Sequence, residues 1–118
     1  MAPRTQLEIT TASVIRLVKE EASYHRELEQ QAERIKKLES GHGGDDENQE
    51  FLMKQERLAL EETKKVLPAL KKKLAETAAE LESLVVEEGR KGESSNVAHI
   101  TAAKEAIAQA KTAEREIS

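Results

Sequence analysis

Cysteine is absent from the chain, which excludes disulfides, thiolate nucleophiles and zinc–thiolate sites. Tryptophan is absent as well, and the aromatic side chains are one tyrosine and one phenylalanine. A globular α/β domain draws on more aromatic and β-branched residues, so the apolar content suits a narrow core. A narrow core leaves little room for a deep catalytic cleft. Uninterrupted apolar runs stop at about three residues (Leu84, Val85, Val86), against the ~20 of a membrane-spanning helix. There is no basic surplus: 19 Lys and Arg stand against 23 Asp and Glu, a formal net charge of −4. That balance argues against general nucleic-acid binding. The opening stretch, MAPRTQLEIT, has no apolar segment of the secretory type. The expectation is a soluble, cytoplasmic protein with neither a nucleic acid nor a membrane as its partner.

What is present is helical. The chain is 36% charged and 37% hydrophobic, rich in Ala, Glu, Lys, Leu and Arg at helical spacing, the composition of long packed helices. Two polar segments interrupt it, GHGGDDEN at 41–48 and GRKGESSN at 89–96. Their Gly, Asp, Ser and Asn residues stop helices and cap new ones. Each is short enough to join antiparallel neighbours. The 118 residues therefore read as one domain, 1–118. The fold class is all-α: an antiparallel three-helix bundle with helices over about 11–40, 46–87 and 96–117.

In the first helix Thr11 is the expected N-cap. The inward set is Val14, Leu17, Glu21, Tyr24, Leu28, Gln31, Ile35 and Leu38, with Val18 and Ala32 beside it. Glu21 and Gln31 are polar insertions of the kind that fix register at some cost in stability. Gly41 is the expected stop. Leu7 and Ile9, ahead of this helix, alternate and are expected to lie extended. The second helix repeats leucine every seven residues at Leu60, Leu67, Leu74 and Leu81. Met53, Thr63, Leu70, Thr77 and Leu84 complete its inward face. Leu52, Ala59 and Val66 form a flank that would let this helix touch two neighbours. In the third helix Ile100, Ala103, Ile107, Ala110 and Ile117 face inward, with Glu114 as the exception. Its weak apolar content makes it the element expected to fray.

Pro68 sits inside the second helix. It cannot donate to the carbonyl of Lys64, and its ring crowds that carbonyl. Yet the leucine phase continues unbroken across it, and a loop would have no reason to preserve that phase. The expectation is one long, proline-bent middle helix with Pro68 on the wet, convex side. The alternative is a break at Pro68 that makes four helices.

Chemistry is hard to find in this pattern. Glu39 and His42 share the Glu-x-x-His spacing of di-iron bundles, but those sites need two such motifs and further glutamates. His42 reads better as a loop residue, His25 as a half-buried packing residue and His99 as an exposed one. GRKGES lacks the Lys-Ser/Thr ending of a phosphate loop. No nucleophile–base pair emerges. The expectation is no enzyme, no cofactor and no metal.

The outward face of the second helix is more informative. Phe51, Leu58, Lys65 and Lys72 follow one another at seven-residue steps. Lys64 and Lys71 extend the basic end. Apolar contact at Phe51 and Leu58, with lysines meeting an acidic partner, makes this the candidate binding surface. A solvated lysine run with two stray apolar residues fits the same pattern.

The spacing around these residues resembles the tubulin-folding cofactor A (tubulin-specific chaperone A) family. RLVKE at 16–20, with Thr11, Tyr24, Glu27, Gln30, Gln31 and Ile35, is similar to the family's first helix. Lys54, Leu60, Glu62, Pro68 and Leu74 are similar to its second. The likeness covers residues 7–84; Lys65 and Val66 stand where the family often carries sulfur-containing residues. The resemblance implies a three-helix bundle with a proline-bent middle helix. It further implies a chaperone that binds β-tubulin and holds it, without catalysis, until later tubulin-folding cofactors assemble the αβ heterodimer. The implied setting is the cytoplasm and its cytoskeleton, and the implied state a monomer or a homodimer. A self-associating coiled-coil adaptor is the alternative that the leucine seam alone would support.

Overall fold

In a computed structural model the protein is described over residues 3–41 and 46–117, without the side chains of 46, 47, 116 and 117. Among the described residues there are three α-helices, one short 3-10 turn and no strand. The helices are α1 (Gln6–Glu39), α2 (Asp46–Gly89) and α3 (Val97–Ile117). The 3-10 turn, Gly92–Ser94, lies between α2 and α3. The fold is an all-α helical bundle.

Helix α1 starts earlier than its apolar pattern suggests. Thr5 Oγ1 accepts the backbone N–H of Glu8 at 3.2 Å, and the Glu8 carboxylate accepts the backbone N–H of Thr5 at 3.1 Å. This reciprocal pair is a capping box, which satisfies two helix-end donors at once. Thr11 is therefore not an N-cap. It is buried within the helix, and its hydroxyl donates to the Leu7 carbonyl at 2.7 Å. Leu7 and Ile9 are likewise helical rather than extended, and Leu7 is buried in the core. At the other end Gly41 has φ +83° and donates to the Leu38 carbonyl, a left-handed closure that glycine adopts without strain. Helix α3 is capped by Asn96, whose Oδ1 accepts the backbone N–H of His99 at 3.1 Å.

Helix α2 is continuous through Pro68, which is exposed. The four-helix alternative is not what the chain adopts. The leucine phase survives the proline: Leu67, Leu74 and Leu81 are all buried, with Leu60 half-buried.

The chain forms two compact units. The first, a three-helix unit, contains Met1–Glu20 and Leu70–Ser118. Its core gathers Leu7, Val14 and Leu17 from α1, Leu74 and Leu81 from α2, and Ala103, Ala106, Ile107 and Ala110 from α3. Lys111 of α3 pairs with Glu82 of α2 at 3.3 Å. His99 of α3 lies 3.7 Å from Glu8 of α1. Alanine lets α3 approach closely, so its buried face includes Ala106 and Ala113, which the apolar pattern did not single out. Ile100 is half-buried and Glu114 exposed, while the Ile117 side chain lies outside the described residues.

The second, a two-helix unit, is Glu21–Ala69 and contains only the later part of α1 and the earlier part of α2. Ile35, Leu38 and Leu67 are buried here. Arg34 of α1 bonds Glu56 of α2 at 3.0 Å, Arg57 of α2 bonds Glu39 of α1 at 3.4 Å, and Gln49 donates to the Leu38 carbonyl. Glu21 and Gln31 are buried, as their spacing required. Several inward expectations fail in this unit. Tyr24 is 37% exposed, Ala32 is exposed, and the flank residues Leu52 and Val66 also face solvent. With one neighbouring helix rather than two, the edges of the seam stay open, and a phenol there keeps its hydroxyl in water.

Candidate partner-binding surface

The outward stripe of α2 is exposed where its sequence places it. Phe51 is 59% and Leu58 60% exposed, far more than large apolar side chains retain on packing faces. Both belong to the two-helix unit, as do Lys64 and Lys65. Lys71 and Lys72 belong to the three-helix unit. Lys65 and Lys72 are exposed and Lys71 half-buried. Lys64 pairs with Glu61 at 3.7 Å. Pairing one turn apart on an exposed face contributes little and leaves the ammonium available. The structural residues divide differently: Leu67, Leu74 and Leu81 form the seam, Leu60 lines its edge, and Pro68 and Tyr24 face water.

The electrostatics concentrate at the start of α1 and the end of α2. The Glu8 carboxyl is held below its usual value, first by the backbone N–H of Thr5 and then by His99. The Glu88 carboxyl is lowered in the same way, chiefly by the backbone N–H of Asn96 at 2.9 Å and then by Lys91 at 3.0 Å. Glu88 thus fastens the α2–α3 connection, and His99 sits half-buried beside Glu8 rather than free on the surface. The Thr5-x-x-Glu8 spacing carried the signal for the first of these ties; nothing local marks the second, which spans eight residues. A shallow cavity of about 250 Å³ lies beside His99 and is lined by Arg4, Glu8, Thr11, Ala12, Ile15 and Ala102.

Among the described residues no three His, Cys, Asp or Glu side chains are grouped to hold a metal ion. The Glu39–His42 pair lies partly outside them, because His42 is not described. No described helix is long and apolar enough to cross a membrane.

The three described helices and their leucine seam define an all-α bundle protein. The chain belongs to the Tubulin binding cofactor A family, which it matches over residues 2–107. Among the relatives it resembles is the Tubulin-specific chaperone A of Saccharomyces cerevisiae, 37% identical over 85 residues, covering 72% of this chain and 76% of the yeast protein. The Tubulin-specific chaperone A of Oryctolagus cuniculus is 29% identical over 83 residues, covering 70% of this chain and 72% of the rabbit protein. No solved structure gives a significant match.

Proposed function

We propose that this protein is a tubulin-folding chaperone that binds β-tubulin subunits and holds them, without catalysis, on the way to αβ-heterodimer assembly. The observation that carries this reading is the family match over 2–107, supported by two relatives that both bear the name Tubulin-specific chaperone A. A bundle suits the task because rigid helix faces capture a large partner with little reorganisation. The proposed contact is the outward stripe of α2: Phe51 and Leu58 for apolar contact, and Lys64, Lys65, Lys71 and Lys72 for acidic groups of the partner. The proposed setting is the cytoplasm, beside the cytoskeleton, with hand-over to other tubulin-folding cofactors.

The test is a binding titration with β-tubulin at low salt. Reversing charge together at Lys64, Lys65, Lys71 and Lys72 is expected to weaken binding by about tenfold or more, while circular dichroism shows unchanged helicity. Unchanged affinity removes the lysines from the contact. Absence of binding by the unaltered protein removes the chaperone reading itself.

A further inference from the structure

We infer that the two-helix unit opens as a cooperative unit of its own, ahead of the three-helix unit, with its weak point at Glu21, His25 and Gln31. This goes beyond the proposed function and does not depend on it, because the opening belongs to the chain alone.

A bundle holds together where apolar side chains interlock and buried polar groups find partners. The two units differ on both counts. In the three-helix unit the buried apolar side chains form one connected cluster drawn from all three helices. Helix α3 is weakly apolar by composition, yet Ala103, Ala106, Ile107 and Ala110 all lie in that cluster. The buried hydroxyls of this unit are engaged. Thr11 donates to the Leu7 carbonyl at 2.7 Å, and Thr10 accepts from the Gln6 amide at 3.0 Å.

The two-helix unit has much less. Among the described residues its buried apolar side chains are Ile35, Leu38 and Leu67, and none of them joins the main cluster. Leu28, Met53 and Leu60 are only half-buried. Its charged ties between helices, Arg34 with Glu56 and Arg57 with Glu39, run at the surface. Ion pairs in that setting contribute little. Against them stand Glu21 and Gln31, 1% and 4% exposed. Among the described residues both Glu21 carboxyl oxygens, Gln31 Oε1 and His25 Nε2 are buried with no hydrogen-bond partner. All of these atoms belong to the α1 part of the two-helix unit, and among the described residues the three-helix unit has none of the kind. Each such group favours an open state in which water reaches it. Glu21 and His25 lie one turn apart on α1, so a single local opening hydrates both.

The unit with fewer interlocked apolar side chains therefore also carries the orphaned polar atoms. Regions of that kind open with free energies below that of global unfolding. Such an opening exposes Ile35, Leu38 and Leu67 while the main cluster stays closed.

The test is native-state hydrogen exchange of the full chain, read amide by amide at rising urea below the unfolding transition. Amides over 25–38 and 50–67, in the two-helix unit, are expected to exchange through one shared opening. Their protection should lie at least tenfold below that of amides over 10–17, 74–84 and 103–110, in the three-helix unit. The shared opening should also depend less on urea than global unfolding does, because it exposes less surface. Ile107→Val separates a local opening from a global one. It weakens the main cluster, which is intact both in the native chain and in the locally opened one. It should lower protection of the three-helix amides about fivefold and leave the two-helix amides unchanged. Glu21→Leu removes two of the orphaned atoms and should raise protection over 25–38 and 50–67 about tenfold. Equal protection in the two sets of the unaltered chain, or a joint fall of both sets in Ile107→Val, makes unfolding all-or-none and overturns the inference. Unchanged or lowered protection over 25–38 in Glu21→Leu overturns the assignment of the weak point.

Discussion

Leu74 and Glu21 show how unequally single residues contribute. Leu74 is 1% exposed in the core shared by all three helices. Truncation to alanine leaves a cavity the alanine-rich α3 cannot refill, so Leu74→Ala should cost about 3 kcal/mol or more in urea unfolding. Glu21 is equally buried, yet among the described residues both its carboxylate oxygens lack a hydrogen-bond partner, as does Nε2 of His25. An unpaired polar group in such a place destabilises, and an apolar replacement of similar volume relieves it. Glu21→Leu is expected to raise the urea midpoint, with a gain of about 1–3 kcal/mol; a lowered midpoint would show that the carboxylate stabilises the fold. The leucines were legible because their period survives any detail of the neighbours. Tyr24 was not, because spacing says which side of a helix a residue lies on, not how many helices stand there. Thr11 misled for a local reason: it precedes Val14, where the regular apolar spacing of threes and fours begins, whereas the true cap at Thr5 is announced by Glu8 three residues later.

At the scale of the element, α2 carries its proline without a break. The leucine seam holds the helix on one side while the missing hydrogen bond falls on the exposed side. Pro68→Ala restores a donor to the Lys64 carbonyl and should raise stability by up to about 3 kcal/mol. Unchanged thermal and urea midpoints would mean that the seam already offsets the whole defect. Helix ends carry the pH dependence. Backbone N–H donors hold the Glu8 and Glu88 carboxyls below their ordinary value in the folded chain. Their contribution is therefore complete above the ordinary glutamate range and is lost as pH falls through the lowered folded values. Urea midpoints should be flat near neutrality and drop in acid, below about pH 4.5. The double variant Glu8→Gln and Glu88→Gln should be less stable at neutral pH and show a shallower acid drop. An undiminished drop would place the acid sensitivity at other carboxylates.

For the whole molecule, composition gave the helical class and excluded thiol chemistry, while periodicity gave the three helices and their order. The division into a three-helix and a two-helix unit was not legible. The flank of Leu52, Ala59 and Val66 looks like a packing surface in sequence, yet Leu52 and Val66 face solvent and Ala59 is half-buried. The exposure of Phe51 and Leu58 was legible, since both keep the seven-residue step while lying off the seam. The partner was not, because helical periodicity is common to many bundles; it rests on the family. Sedimentation velocity of the purified chain mixed with β-tubulin released from folding tests that reading most directly. β-Tubulin is expected to stay soluble and to sediment with the chain, without nucleotide turnover by the chain. Aggregation of β-tubulin while the chain sediments alone would contradict it.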